Sequence, residues 1–303
     1  MGIPSFAAEA PPSWEHLTEW AQLLELSGFD RLLVSEHIAF GLNMDAYANP
    51  ETGGTAGGRQ PTGPDGHWLE PLTLLTYLAA RTERIRLGTN ILLAALRPAA
   101  VLAKTVATMD VLSGGRIDLG VGVGWQREEY DAAGVDFGKR GALLDQTLEV
   151  CQLLWRYNEV SYASPGLNFD RIHQMPKPLQ PGGVPIWVSG TVNRAVARRL
   201  ARFGRYWIPW GQDAVDIAVG IGRMRAAVER AGGDPYGFGV AGNLRVKAAA
   251  DGGPDLAAVA ANAVSQADAG VTELRLTRWS LPTANQERDL PALVNAVRDA
   301  VGG

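Results

Sequence analysis

Segments with the pattern of buried strands alternate with segments of helical spacing from one end of this 303-residue chain to the other. Eight strand–helix units can be counted, from the apolar segment 3–7 to the final helical segment 290–301. Eight units in about 300 residues is the size of a (β/α)8 barrel, the TIM barrel, with insertions. An open doubly wound sheet also alternates strands and helices, but eight units without a change in composition favour the closed barrel. The sequence therefore predicts an α/β fold with one barrel domain over residues 1–303.

Two stretches interrupt this alternation and are predicted to be insertions. Residues 41–66, after the second strand, are rich in Gly, Pro, Asn and Thr and show no period. Because this stretch is too long for an ordinary connection, we expect it to form a lid or a mobile insert. Residues 158–185, before the fifth strand, contain the turn dipeptide Pro165-Gly166 and a series of prolines from Pro176 to Pro185.

Composition excludes several classes of function. The formal net charge of −4 provides no basic surface for a nucleic-acid backbone. No apolar run approaches the roughly 18 residues of a membrane span, and the first residues lack the pattern of a signal peptide. The single cysteine and the four scattered histidines do not have the spacing of a metal site. We therefore expect a cytoplasmic protein that binds no nucleic acid, no membrane and no metal.

Polar and small residues follow four of the predicted strands, where the functional groups of a barrel lie. They are Glu36 and His37 after strand 2, Thr89 and Asn90 after strand 3, Gly120, Gly122, Gly124 and Trp125 after strand 4, and Ser189, Gly190 and Thr191 after strand 5. Each group alone has an ordinary explanation as a solvated pair, a strand end or a helix cap. Together, a glycine platform and a hydroxyl-rich turn before a helix predict a site for a planar cofactor that carries a phosphate.

The order and spacing of several longer motifs resemble the luciferase-like monooxygenase superfamily over most of residues 1–210. These motifs are 28–30 (GFD), 35–37 (SEH), 87–92 (LGTNIL), 97–98 (RP), 103–116 (AKTVATMDVLSGGR), 119–125 (LGVGVGW), 128–129 (EE), 178–180 (PLQ) and 185–190 (PIWVSG). Within the superfamily the chain most resembles the branch that uses coenzyme F420, a deazaflavin. The feature behind this choice is the Gly-Val-Gly-Trp segment followed by paired glutamates, although branches that bind FMN share much of the framework.

The resemblance implies a barrel that assembles as a homodimer or a higher homo-oligomer, with a defined set of cofactor contacts. It implies a non-proline cis peptide between Asn90 and Ile91, whose bulge presses on one face of the cofactor ring. The implied cofactor-binding residues are His37, Asn90, Ile91, Leu92, Val123, Gly124, Trp125, Glu128, Ser189, Gly190 and Thr191. Among them, residues 123–125 would line the ring, Glu128 would lie near its polar side, and residues 189–191 would bind the phosphate.

The favoured hypothesis is an F420-dependent oxidoreductase that transfers a hydride between the reduced deazaflavin and a small organic substrate under the lid 41–66. The candidate catalytic residues are His37, Glu36 and Trp125. His37 is the candidate proton donor because imidazole titrates near neutral pH. Glu36 could orient His37 or could be a structural partner in the barrel wall, and Trp125 could shape the substrate pocket or simply pack.

Two alternatives remain open at this stage. The first is an FMN-dependent luciferase-like monooxygenase that uses O2 and a partner reductase. The second is a cofactor-free barrel that acts on or binds a phosphorylated ligand. An enzyme of this second kind that forms a Schiff base needs a buried lysine at a strand end, and Lys247, at the predicted end of strand 7, is the single candidate.

Overall fold

Strands and helices alternate along the chain, as the sequence predicts. The computed structural model describes residues 1–52, 54–55, 58–277, 281 and 285–302. The strands are β1 (Phe6–Ala7), β2 (Arg31–Val34), β3 (His67–Trp68), β4 (Arg86–Thr89), β5 (Ile117–Val121), β6 (Glu159–Ser164), β7 (Leu167–His173), β8 (Ile186–Gly190), β9 (Tyr206–Pro209), β10 (Gly239–Asn243) and β11 (Glu273–Arg275). The helices are α1 (His16–Leu26), α2 (Pro71–Ala79), α3 (Ala99–Leu112), α4 (Arg127–Ala132), α5 (Arg140–Arg156), α6 (Arg194–Phe203), α7 (Gln212–Val215), α8 (Ile217–Arg230), α9 (Leu256–Asp268) and α10 (Gln286–Val301).

Seven of the strands form one parallel sheet, in the order β2-β4-β5-β8-β9-β10-β11. The sheet curls so far that residues 1–3 hydrogen-bond to both of its edges. Ile3 N donates to Leu33 O of β2 at 3.0 Å, and Gly2 N donates to Leu276 O, just after β11, at 2.8 Å. The predicted α/β fold with a parallel sheet is confirmed. The predicted first strand is displaced, because Phe6–Ala7 pairs antiparallel with β3 instead.

Local sequence explains where the elements around the site begin and end. All five residues of β5 are buried, as expected for a parallel strand that is covered on both faces. Helix α3 lies between two residues that favour helix ends, since Pro98 precedes its first turn and Gly114, with φ +70°, follows its end. No helix in the described part of the chain has the length and apolar character that a membrane span requires.

The two predicted insertions differ in structure. The described residues of 41–66 form two short 3-10 turns, Met44–Ala48 and Pro50–Thr52, and are otherwise irregular. Gly53, Ala56 and Gly57 of the predicted lid lie outside the described residues. Within 158–185, β6 and β7 form an antiparallel hairpin whose turn is the predicted Pro165-Gly166. That 41–66 and 158–185 are insertions, and that 41–66 acts as a lid, stay predictions.

The buried carboxylate of Asp110 ties α3 to the chain that precedes β8. Its Oδ2 accepts hydrogen bonds from the backbone N–H of Leu179 at 2.8 Å and of Gln180 at 3.2 Å, and its Oδ1 accepts one from Gln180 Nε2 at 2.7 Å. Asp110→Ala leaves these buried donors without an acceptor, so we expect the substitution to lower the free energy of unfolding by about 3 kcal/mol. Urea unfolding measures this, with the exposed Asp299→Ala as the control, expected within about 0.5 kcal/mol of the parent. An equal effect of the two substitutions would contradict the assignment.

Candidate active site

A cavity of about 1170 Å³ opens at the carboxyl ends of the parallel strands, where the sequence predicts the site. Of the predicted site residues, Glu36, His37, Asn90, Ile91, Val123, Gly124, Trp125, Ser189, Gly190 and Thr191 line it. Leu92 and Glu128 are not among the described residues that line it. Leu92 is buried in the core, and Glu128 lies against Gly41, where an added Cβ would collide with it. The structure therefore brings together ten of the predicted residues, whose roles stay predictions.

One wall of the cavity is a platform formed by the ends of β4 and β5. The peptide bond between Asn90 and Ile91 is cis, as the resemblance implies. A Cβ added at Gly122 would lie 2.9 Å from Ile91 Cδ1, so a larger residue there would press on Ile91. Gly124 has φ +65°, and a Cβ there would lie 2.6 Å from Leu93 Cδ2. These glycines leave a surface beside Ile91 and Trp125 that a planar ring can approach closely.

His37 packs among aromatic rings in the same cavity and lies close to a buried carboxylate. Its ring centroid lies 4.4 Å from that of Phe40, 4.8 Å from that of Trp68 and 5.8 Å from that of Trp125. His37 Nδ1 lies 3.2 Å from Oε1 of the buried Glu129, which also accepts a hydrogen bond from Ile38 N at 2.8 Å. Glu129 Oε2 and His37 Nδ1 are both buried and have no hydrogen-bond partner among the described residues, so the 3.2 Å approach is a close contact without hydrogen-bond geometry. Glu129, which the sequence analysis noted but did not assign, therefore occupies the position of an orienting group for His37.

Glu36 forms structural contacts within the wall of the cavity. Its carboxylate accepts hydrogen bonds from the backbone N–H of Leu93 and from Arg97 Nη2, and Arg97 also contacts Glu70. Burial raises the pKa of Glu36 above its usual range, although Arg97 opposes this shift. Of the two interpretations of Glu36, the contacts favour the structural partner over the orienting group.

The predicted phosphate turn between β8 and α6 lines the cavity, but several of its amides already have partners. Val192 N donates to Asp213 Oδ2 at 2.7 Å. Ala195 N and Val196 N donate to Asn193 Oδ1 at 3.0 and 2.9 Å, which makes Asn193 the helix cap. A phosphate at this turn would therefore rely on residues 189–191, including the hydroxyl groups of Ser189 and Thr191.

Three further observations concern residues that the sequence analysis misplaced or missed. Lys247 is exposed, lies four positions beyond the end of β10 and is not among the described residues that line the cavity, so a Schiff-base role has no support. Among the described residues, no three His, Cys, Asp or Glu side chains are grouped to hold a metal ion.

Arg275, at the end of β11, lines the cavity and donates to Asn90 Oδ1 at 3.1 Å. Its signal in the sequence is the alternation of charges in Glu273-Leu274-Arg275, which places both charged side chains on one face of a strand.

Comparisons with known proteins identify a family and similar folds. The sequence model of one family, described as luciferase-like monooxygenase, matches residues 3–288. The uncharacterised protein Rv0953c of Mycobacterium tuberculosis is 34% identical over 200 residues, which cover 65% of this chain and 68% of that protein. The monooxygenase RslO1 from Streptomyces bottropensis has a similar structure, with a TM-score of 0.76, 20% identity and 99% of both chains covered. The coenzyme F420-dependent tetrahydromethanopterin reductase of Methanopyrus kandleri superposes with a TM-score of 0.71, 14% identity and 98% of both chains covered.

Proposed function

Because this chain belongs to the luciferase-like monooxygenase family, we propose that it is an oxidoreductase that binds coenzyme F420 and transfers a hydride between the reduced deazaflavin and a small organic substrate. The observation that carries the proposal is the single cavity that joins the glycine platform, the turn 189–191 and His37. Hydrogen bonds from residues 1–3 to both edges of the sheet support a closed (β/α)8 barrel as the framework of this cavity. Assembly into a homo-oligomer stays a prediction.

The residues present fit a planar cofactor that carries a phosphate. Ile91 and Gly122 would support one face of the ring, since a side chain at 122 would press on Ile91 where the ring approaches. The hydroxyl groups of Ser189 and Thr191 would donate hydrogen bonds to the phosphate. When bound, reduced F420 supplies a hydride, the two-electron chemistry that the protein lacks on its own.

The side chains around the platform provide orientation, a proton and exclusion of water. His37 would donate the proton to the substrate, and Glu129, 3.2 Å from Nδ1, would fix the orientation of the imidazole. Tyr47 of the predicted lid contacts the edge of Trp125, with ring centroids 5.4 Å apart, and Trp210 Nε1 donates to Gly54 O at 3.0 Å. These contacts support a lid role for residues 41–66, which would keep water away from the reacting groups.

Titration of the purified protein with F420 and, separately, with FMN tests the choice of cofactor. Trp68, Trp125 and Trp210 line the cavity, so tryptophan fluorescence reports binding. We expect F420 to bind at least about tenfold more tightly than FMN, a difference of about 1.4 kcal/mol. The opposite preference would indicate an FMN-dependent monooxygenase, and binding of neither would overturn the proposed function.

A matched pair of glycine substitutions tests whether the platform holds the ring. Gly122→Ala adds a methyl group between Ile91 and the cavity, whereas Gly222→Ala adds one to the exposed face of α8, where nothing lies within 4 Å. We expect Gly122→Ala to weaken F420 binding about tenfold or more, and Gly222→Ala to leave it unchanged. Equal affinities for the two variants would show that the ring does not lie on the platform.

A further inference from the structure

Arg275 is a half-buried cation whose hydrogen-bond partners among the described residues are all neutral. Nη1 donates to Asn90 Oδ1 at 3.1 Å, and Nη2 donates to Asn243 Oδ1 at 3.0 Å and to Ala241 O at 3.4 Å. Nε is buried and has no hydrogen-bond partner among the described residues. The guanidinium group thus has its orientation fixed by neutral acceptors, and part of its surface faces the cavity.

Several other arginines around the sheet, unlike Arg275, are paired with carboxylates. Arg31 lies 3.1 Å from Asp118 and 2.6 Å from Glu273, and Arg199 lies 2.6 Å from Asp145. No carboxylate among the described side chains lies within 4.0 Å of Arg275, and none of the residues outside the described ranges is Asp or Glu. Burial lowers the pKa of Arg275 to about 10, which reflects the same lack of a compensating charge. Partial burial of a cation without a counter-charge is unfavourable, so an anion beside it would be stabilised.

We propose that Arg275 binds a carboxylate group of the substrate, and therefore that the enzyme acts on a small organic acid. The planar guanidinium group matches a carboxylate in geometry as well as in charge. Asn90, which holds Nη1, directly precedes Ile91 of the platform, so a carboxylate on Arg275 would place the rest of the acid beside the ring. The role of the acid as substrate rests on the proposed function, whereas the anion-binding cavity does not.

Benzoate and its neutral amide, benzamide, are suitable probes because they share shape and differ in charge. Isothermal titration calorimetry of the wild-type protein, with and without F420, is expected to give benzoate about tenfold or more higher affinity than benzamide. Arg275→Gln is expected to lower the affinity for benzoate about 10- to 100-fold and to leave the affinity for benzamide unchanged. Arg275→Lys keeps the positive charge but loses the planar pair of N–H donors that matches a carboxylate, so we expect an intermediate loss of benzoate affinity. The matched control is Arg245→Gln, which removes an exposed arginine of the same cavity and is expected to change benzoate affinity less than about threefold.

The F420 affinity of Arg275→Gln distinguishes a substrate carboxylate from an anionic group of the cofactor. We expect this affinity to stay within about threefold of the wild-type value. A loss of F420 affinity with benzoate binding unchanged would assign Arg275 to the cofactor and overturn the proposal. Equal affinities of benzoate and benzamide in the wild-type protein would overturn it as well, even if the variant failed to fold. Failure of F420 to bind the wild-type protein would instead overturn the proposed function and leave the benzoate comparison intact.

Discussion

Replacement of Arg97 by leucine is expected to lower the free energy of unfolding by about 3–5 kcal/mol at neutral pH. The side chain of Glu36 is wholly buried, and Arg97 is the cation that contacts it. Removal of Arg97 leaves a buried carboxylate whose remaining hydrogen bond, among the described residues, comes from Leu93 N. The cost of an uncompensated buried charge exceeds the gain from an added apolar side chain. Urea unfolding at several pH values measures the effect.

The loss caused by Arg97→Leu should depend on pH with a definite sign. Burial raises the pKa of Glu36 in the folded protein above the ordinary value of 4.5. A carboxyl group with a raised pKa favours the folded state below its unfolded pKa, and this stability is lost as the pH rises through the folded pKa. Without Arg97 the folded pKa rises further, since its charge lowers the pKa in the parent. We therefore expect the difference between variant and parent to be largest at neutral pH and to shrink as the pH falls toward 4.5.

A double-mutant cycle identifies the carboxylate responsible. Glu36→Gln combined with Arg97→Leu removes the buried charge together with its partner, so the double variant should be more stable at neutral pH than Arg97→Leu alone. Glu70→Gln is the matched control, because Glu70 contacts the same arginine from an exposed position, and its loss should stay below about 1 kcal/mol. Additive losses for the first pair would show that Arg97 does not compensate Glu36.

Sequence periodicity predicted the α/β fold because a parallel α/β sheet repeats one local pattern, a buried strand followed by an amphipathic helix. It misplaced the first strand, since residues 1–3 acquire strand contacts only from β2 and from the chain after β11. The pairing of Gly2 with Thr277 joins parts of the chain 275 residues apart, and nothing local in the sequence encodes it.

The candidate site was predictable by position and less so by role. The carboxyl ends of parallel strands gather at one edge of the sheet whatever their chemistry, so ten predicted residues share a cavity. The roles of neighbouring carboxylates depend on distant partners: Glu36 contacts Arg97, and Glu129, not Glu128, reaches His37. Asn193 is a typical cap residue, so its use of two helix amides was foreseeable, whereas the contact from Asp213 to Val192 was not.

Substitution of His37 by glutamine is expected to lower kcat about 100- to 10,000-fold, the usual contribution of a positioned general acid. Glutamine keeps a polar side chain of similar reach but supplies no acid of comparable strength. The measurement is the steady-state oxidation of reduced F420 by the most reactive member of a panel of unsaturated organic acids, followed by the absorbance of the cofactor. F420 affinity, determined separately, identifies any part of the loss that comes from cofactor binding.

Two further variants separate proton donation by His37 from its packing. Glu129→Gln leaves the imidazole in place and alters the group 3.2 Å from Nδ1, so we expect a smaller loss of kcat, about tenfold, with a displaced pH–rate profile. His16→Gln is the control, since His16 is exposed on α1 and is not among the described residues that line the cavity. If His37→Gln kept its rate within about fivefold of the parent, the loss would fall short of general-acid catalysis, and the proton donor would have to be another group. A pH–rate profile that Glu129→Gln leaves unmoved would show that the carboxylate fixes Ile38 N and not the imidazole.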